Sequence, residues 1–208
     1  MTKLWRRAWK GVRRRLFPRK VYHKAPMRVR PPRAAPPDAS SEGLTWQACL
    51  RTVEVDDAAP LAGWLFKRRF GTDVPVSPRH FVLLYSPAGN ASGERAVAYI
   101  HHQRLGEIYL TGGLCVDERA YRSFPAWLFA KVREQGGLAT IMTLGSMAML
   151  GDGAAVFGHV GELRSRQASL RSGFADTDDD HLMVYWLAPL DAEEKKRLIA
   201  IAASRGPF

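Results

Sequence analysis

Two adjacent histidines, His101 and His102, end a largely apolar run that starts at Arg95. A neutral imidazole takes up a proton and an imidazolium returns it, which is what group transfer asks of a side chain. In an extended segment neighbouring side chains point to opposite faces, so only one of this pair can face a cleft. His159 lies in the glycine-flanked run Phe157 to Gly161, a setting suited to an acid, a base or a substrate contact. Arg164, Ser165 and Arg166 follow, either an anion contact or an exposed hairpin. Cys115 would be a nucleophile only beside a base, and none stands near it in sequence, so a small buried strand residue is the alternative. Asp117 reads as a turn or capping residue. The acids from Asp176 to Asp180 lack calcium-loop spacing and read as a solvated turn. Zinc spacing of Cys and His is missing, and so is a Gly-x-Ser-x-Gly elbow, so no metal is expected.

These side chains need a sheet to hold them. Leu44 to Val55 reads as a first strand, followed by a helix through Leu61, Trp64, Leu65 and Phe70 capped by Asp56 or Asp57. Phe81 to Tyr85 is a short buried strand. Arg95 to Gln103 places Val97, Tyr99 and His101 on one face and Ala98, Ile100 and His102 on the other. The chain turns at Leu105 to Glu107 and returns as Ile108 to Val116, where Gly112-Gly113 marks a bulge or close backbone approach. Ser123 caps the next helix, which contains Trp127, Leu128, Phe129 and Val132 and ends at Gly136-Gly137. Leu138 to Leu144 is strand-like, and a short helix runs from Asp152 or Gly153 through Phe157. Ala168 to Phe174 and His181 to Leu187 are the last strands, and Ala192 to Ala203 is a closing helix behind Asp191. The expected class is α/β (α+β), a mixed, mostly antiparallel sheet flanked by helices.

Three stretches in this order resemble the GNAT acyltransferase superfamily, over roughly residues 44–188. The pair Ala96 to His102 and Glu107 to Asp117 looks like the family's central hairpin with its bulge. Val116 to Arg122 leads into a helix, as the family's donor-binding segment does. Ala154 to Phe157, then Ser172 to Phe174, resembles the family's late helix and its Gly-Phe. The resemblance implies an N- or O-acyltransferase that uses acyl-CoA, or an acyl-phosphopantetheine on a carrier protein, as co-substrate. It implies donor contacts at Leu114, Cys115, Val116, Arg119, Arg122 and Ser123, with backbone N–H groups polarising the thioester carbonyl and a helix N-terminus receiving phosphate. It implies a base at Glu107, and the residues' own settings add His159 and His102 as acid–base candidates. Arg122 and Phe124 stand where the family has small residues, so phosphate would be met by the side chains of Arg119 and Arg122. The family's Tyr acid is matched most nearly by Phe157. A catalytically inactive binding or regulatory module of this fold is the alternative.

Charge divides the chain. Thirteen of its 31 Lys and Arg lie between Lys3 and Arg33, and every acid lies at or after Asp38, which leaves 18 bases against 20 acids. Residues 1–17 form a basic amphipathic segment, with Leu4, Trp5, Ala8, Trp9, Val12, Leu16 and Phe17 on one stripe. Residues 18–43 are a Pro-rich linker, and 44–208 the acyltransferase-like domain. The segment suits an anionic membrane surface, an acidic carrier protein or nucleic acid; nothing in the body reads as a nucleic-acid module, so nucleic acid is disfavoured. A disordered or capping arm is the plain alternative. Two cysteines and no apolar run of about 20 residues point to a cytoplasmic protein, peripheral to the inner face of the membrane.

Overall fold

The structure is a computed structural model that describes residues 43–76, 79–90 and 93–208. The segments at 1–17 and 18–42 lie outside the described residues.

Thr45 opens the described fold differently from the expectation. Its extended backbone and its hydroxyl, which accepts from the Ala48 amide at 3.2 Å, start a turn of helix, α1 (Trp46–Cys49). Only Leu50–Val55, with its β-branched Thr52, Val53 and Val55, forms strand β1. Asp57 accepts from the Ala59 amide at 2.8 Å at the start of α2 (Ala59–Phe70), and Gly71, at φ 79°, ends it. Leu65 and Phe66 turn inward from α2.

Strands β2 (Arg79–Tyr85) and β3 (Arg95–Leu105) pair antiparallel, with a register shift between Leu83 and Leu84 that leaves Val97 as an extra residue. The expected alternation fails there. Val97 packs in the same cluster as Ala98 and Ile100, while Tyr99 packs with Phe66 on the other side. Beyond the bulge the alternation resumes and separates His101 from His102.

The return strand is broken as Gly112-Gly113 suggested. β4 (Ile108–Thr111) and β5 (Cys115–Val116) both pair with β3, at Thr111↔His102 and Cys115↔Tyr99. Three residues, Gly112 to Leu114, therefore face two, Ile100 and His101. A 3₁₀ turn, Glu118–Ser123, follows, capped by Asp117. Ser123 ends that turn instead of capping the helix; Pro125 precedes α3 (Ala126–Glu134).

Leu138–Met147 is helix α4, not a strand. It carries apolar side chains nearly all round because it is buried, and such a run has no period to separate it from a buried strand. Ala155–His159 is strand β6, not a helix, and it runs parallel to β4 from Ile108↔Ala155 to Thr111↔Gly158. Leu163–Arg171 is helix α5 where a strand through Phe174 was expected; Gly173, at φ 87°, stops the chain just after it. β7 (Ala175–Asp176) and β8 (Leu182–Trp186) complete the sheet. Asp191 caps α6 (Ala192–Ser204) by accepting from the Glu194 amide at 2.8 Å.

The strand order is β1-β2-β3-β4-β6-β8-β7, with β5 beside β3, and β4–β6 is the one parallel pair among the described residues. The expected class, a mixed and mostly antiparallel sheet flanked by helices, is met. α3 and α4 cover one face through Leu128, Val132, Ile141 and Met142. On the other face α2 covers the β1–β3 half, and α6 covers β4, β6 and β8 through Leu198 and Ala202. No described helix is long and apolar enough to cross a membrane.

Candidate functional site

The parallel pairing of β4 with β6 stops at Thr111↔Gly158, where β4 bulges away and its continuation, β5, pairs with β3. The two glycines at this parting are there for space. A Cβ on Gly112 would overlap the His101 ring, and one on Gly113 would strike Phe66 and Phe70 of α2. The Gly112 amide donates to the His101 carbonyl at 3.0 Å, so β3 itself holds the bulge.

The adjacent histidines have opposite fates. His102 faces α4 and is fully buried. Its Nδ1 is 3.1 Å from Thr111 Oγ1 and its Nε2 3.0 Å from Ser146 Oγ. Burial, with lesser contributions from the neighbouring His101 and from Arg79, pushes its pKa down to about 3. Both nitrogens are engaged inside the core, which argues against the catalytic role expected of His102. His101 faces α2, beside the bulge. Its ring lies 5.8 Å from Phe66, 5.7 Å from Tyr99 and 6.4 Å from His80. Burial, then His80, lowers its pKa to about 4. His80 in turn holds Tyr99, with Nδ1 2.8 Å from the phenol oxygen.

Glu107 is placed away from this parting. It sits in the turn before β4, and its carboxylate pairs with Arg197 of α6. Three residues of strand, about 10 Å, separate Ile108 from Thr111. His159 does border the parting, one residue beyond Gly158. Its ring is 6.1 Å from His181 and 6.0 Å from Phe208. Two strand spacings, about 10 Å, lie between His159 and His101. Phe157, the nearest match to the family's Tyr, is buried on strand β6 and packs against Trp186, so that correspondence fails.

The donor-side residues are gathered along β5 and the 3₁₀ turn. The Cys115 thiol is buried and its pKa is pushed up to about 12 by burial, so it is no nucleophile. Leu114 and Val116 are partly buried against the core. The N-terminus of the 3₁₀ turn is occupied by the buried Asp117 carboxylate, which accepts from the Arg119 amide at 3.2 Å and from Arg68 Nη2 at 2.9 Å. The helix N-terminus expected to receive phosphate is that of α3, which follows Pro125 and carries no side-chain cap. Ser123 is engaged as well: its hydroxyl donates to Ala120 O at 2.7 Å and accepts from Arg95. Arg119 and Arg122 are exposed. Arg166, on α5, pairs with Asp176, which replaces the hairpin expected there.

Sequence reasoning missed a polar network at the other end of β4. Arg79 grips Glu54 through two bonds of 2.6 and 2.8 Å and reaches the Tyr109 phenol at 3.0 Å; that phenol donates to Asp152 at 2.5 Å. Arg104 also pairs with Asp152. These groups line an open concavity of about 540 Å³ with Met149 and Gly151. The residues are far apart in sequence and carry no common spacing, so nothing in the chain announced them. Among the described residues no cluster of three or more His, Cys, Asp or Glu could hold a metal ion.

No family model and no curated protein matches this chain. Solved structures do. The chain is similar to the ribosomal-protein-S18-alanine N-acetyltransferase from Escherichia coli, with 12% identity over 69% of this chain and 97% of that one and a TM-score of 0.45. It is similar to an aminoglycoside 6'-acetyltransferase type Ii, with 10% identity over 68% and 99% and a TM-score of 0.42. It is also similar to a chain of the KacTA–DNA complex, with 15% identity over 73% and 98% and a TM-score of 0.44. GNAT-type acetyltransferases are thus among the proteins that this chain is similar to. At these identities the likeness concerns fold and assigns no substrate.

Proposed function

We propose that this chain is a GNAT-type acyltransferase that passes an acyl group from a pantetheine thioester to an amine or hydroxyl. The observation that carries the reading is the parting of parallel β4 and β6 at the Gly112–Leu114 bulge. A bulge leaves its extra residue out of the ladder, so a main-chain N–H near Leu114 or Cys115 is offered to a thioester carbonyl. An oxyanion donor of this kind is worth about 100- to 1000-fold in rate. Arg119 and Arg122 meet donor phosphate by side-chain charge, with Val116 between them and the bulge in the chain and Ser123 just after Arg122. His159 borders the acceptor side. Asp117 fills the 3₁₀ N-terminus while that of α3 carries no side-chain cap, so the donor is either acyl-CoA or an acyl-carrier protein with its single pantetheine phosphate.

The test is release of free thiol from acetyl-CoA, a long-chain acyl-CoA and an acylated carrier protein, with amine and alcohol acceptors. Turnover with one donor class is the expected result. If no donor turns over and none raises the melting temperature, the enzyme reading fails. The occupied 3₁₀ N-terminus also favours a second reading, an inactive binding module of this fold; a donor-dependent melting shift without turnover would select it.

The basic residues of 1–17 suit an anionic membrane face, which would place the protein peripherally at the cytoplasmic side. Flotation with phosphatidylserine vesicles, with and without residues 1–33, tests this. Equal binding by both forms removes the role.

A further inference from the structure

Among the described residues, His101 Nδ1 is the one buried side-chain nitrogen or oxygen without a hydrogen-bond partner. His101 is only 8% exposed. Buried polar atoms are nearly always satisfied, and an exception asks for a physical reason. The ring meets Gly112, the first residue of the bulge, through its other nitrogen, Nε2, and no Cβ fits there. Its own carbonyl accepts the Gly112 amide at 3.0 Å. It therefore stands beside the main-chain segment to which the proposed function assigns the thioester carbonyl.

We infer that His101 takes the proton of the acyl acceptor at this site. The inference rests on the acyl-transfer reading above. Two of the other candidate bases are engaged elsewhere: His102 with Thr111 and Ser146 on the opposite face, and Glu107 with Arg197; His159 lies across β4, on β6. The acceptor nitrogen or oxygen forms a bond to the carbonyl carbon as its proton passes to the imidazole. The carbon–sulfur bond then breaks, and the departing thiolate takes that proton from the imidazolium. Atoms and charge balance without another reactant. A neutral ring is the form this step needs, and burial keeps His101 neutral at pH 7. The titratable groups whose rings adjoin it are His80 from β2 and Tyr99 from β3; α2 offers Phe66.

The experiment uses the full chain and the donor and acceptor that give turnover. His101→Gln and His101→Phe are compared with wild type for kcat, KM, melting temperature and the pH profile of kcat. The expected result is a kcat at least 100-fold lower in both variants. KM should stay within threefold, the melting temperature should hold in at least one variant, and the acid limb of the profile should disappear. Turnover within fivefold of wild type in either variant, or a loss of rate in both that follows a loss of melting temperature, overturns the inference and leaves the acyltransferase reading standing. No turnover by wild type overturns both.

Discussion

The two ends of the β4–β6 pair are built on opposite principles. At the end where β4 begins, polar groups satisfy one another: Glu107 with Arg197, Arg104 with Asp152, and Tyr109 with Asp152. At the end where the strands part, glycines replace side chains and a buried imidazole keeps an unpartnered nitrogen. The first end spends its charges on holding strands and helices together. The second leaves one buried imidazole nitrogen without a partner, and the proposed chemistry is placed there. The size of the concavity at the closed end is therefore a poor guide to the site.

Acid should separate the two ends most strongly. His101 and His102 bind protons more weakly folded, with pKa values of about 4 and about 3, than unfolded, near 6.5. The unfolded chain then takes up more protons below about pH 6.5, so stability is full above that value and falls as pH drops towards 4. Each histidine adds up to about 1.4 kcal/mol per pH unit in that window. Urea unfolding from pH 7 to pH 4.5 measures the slope, and His102→Gln should flatten it. A flat wild-type profile would mean that the two rings are not buried as described.

Removing the engaged histidine comes next. His102→Ala empties a core position and strands Ser146 and Thr111, at a cost of about 3 kcal/mol in urea unfolding. A cost below about 1 kcal/mol would show that the ring is not a structural tie. Gly112→Ala forces a methyl group against His101 and should cost about 1–3 kcal/mol, with a fall in turnover larger than the stability loss explains. An unchanged midpoint would refute the tight packing of His101 on the bulge. Smallest is Glu107→Gln at the closed end. Its exposed pair with Arg197 is worth less than about 1 kcal/mol, and turnover should stay within twofold. A large loss of rate would restore Glu107 as the base.

Local chemistry carried much of the fold. β2, the β3 hairpin, the glycine bulge and the Asp191-capped α6 all follow from alternation, turn residues and caps. α4 and β6 did not follow. A buried helix and a buried strand both present continuous apolar side chains, and only packing against the sheet distinguishes them. α5 was missed because its residues look like those of an exposed hairpin. The candidate site divides in the same way. That the adjacent histidines point to opposite faces was legible from strand geometry, and Asp117 as a cap from its place after a strand. Which histidine faced which side was not, because the shift at Val97 and the pairing of β4 with β6 set that.

By itself the sequence determined the charge division at residue 38, the glycine pair that marks a bulge or close approach, and the side-chain types available for proton transfer. Tertiary structure alone decided that His102 is a tie, that Asp117 fills the 3₁₀ N-terminus, and that His101 lies against the bulge. Types and spacing are local properties of the chain. Burial and partners are set by strands and helices from distant parts of the chain, and in a folded protein it is those partners that decide whether a titratable group is engaged or available.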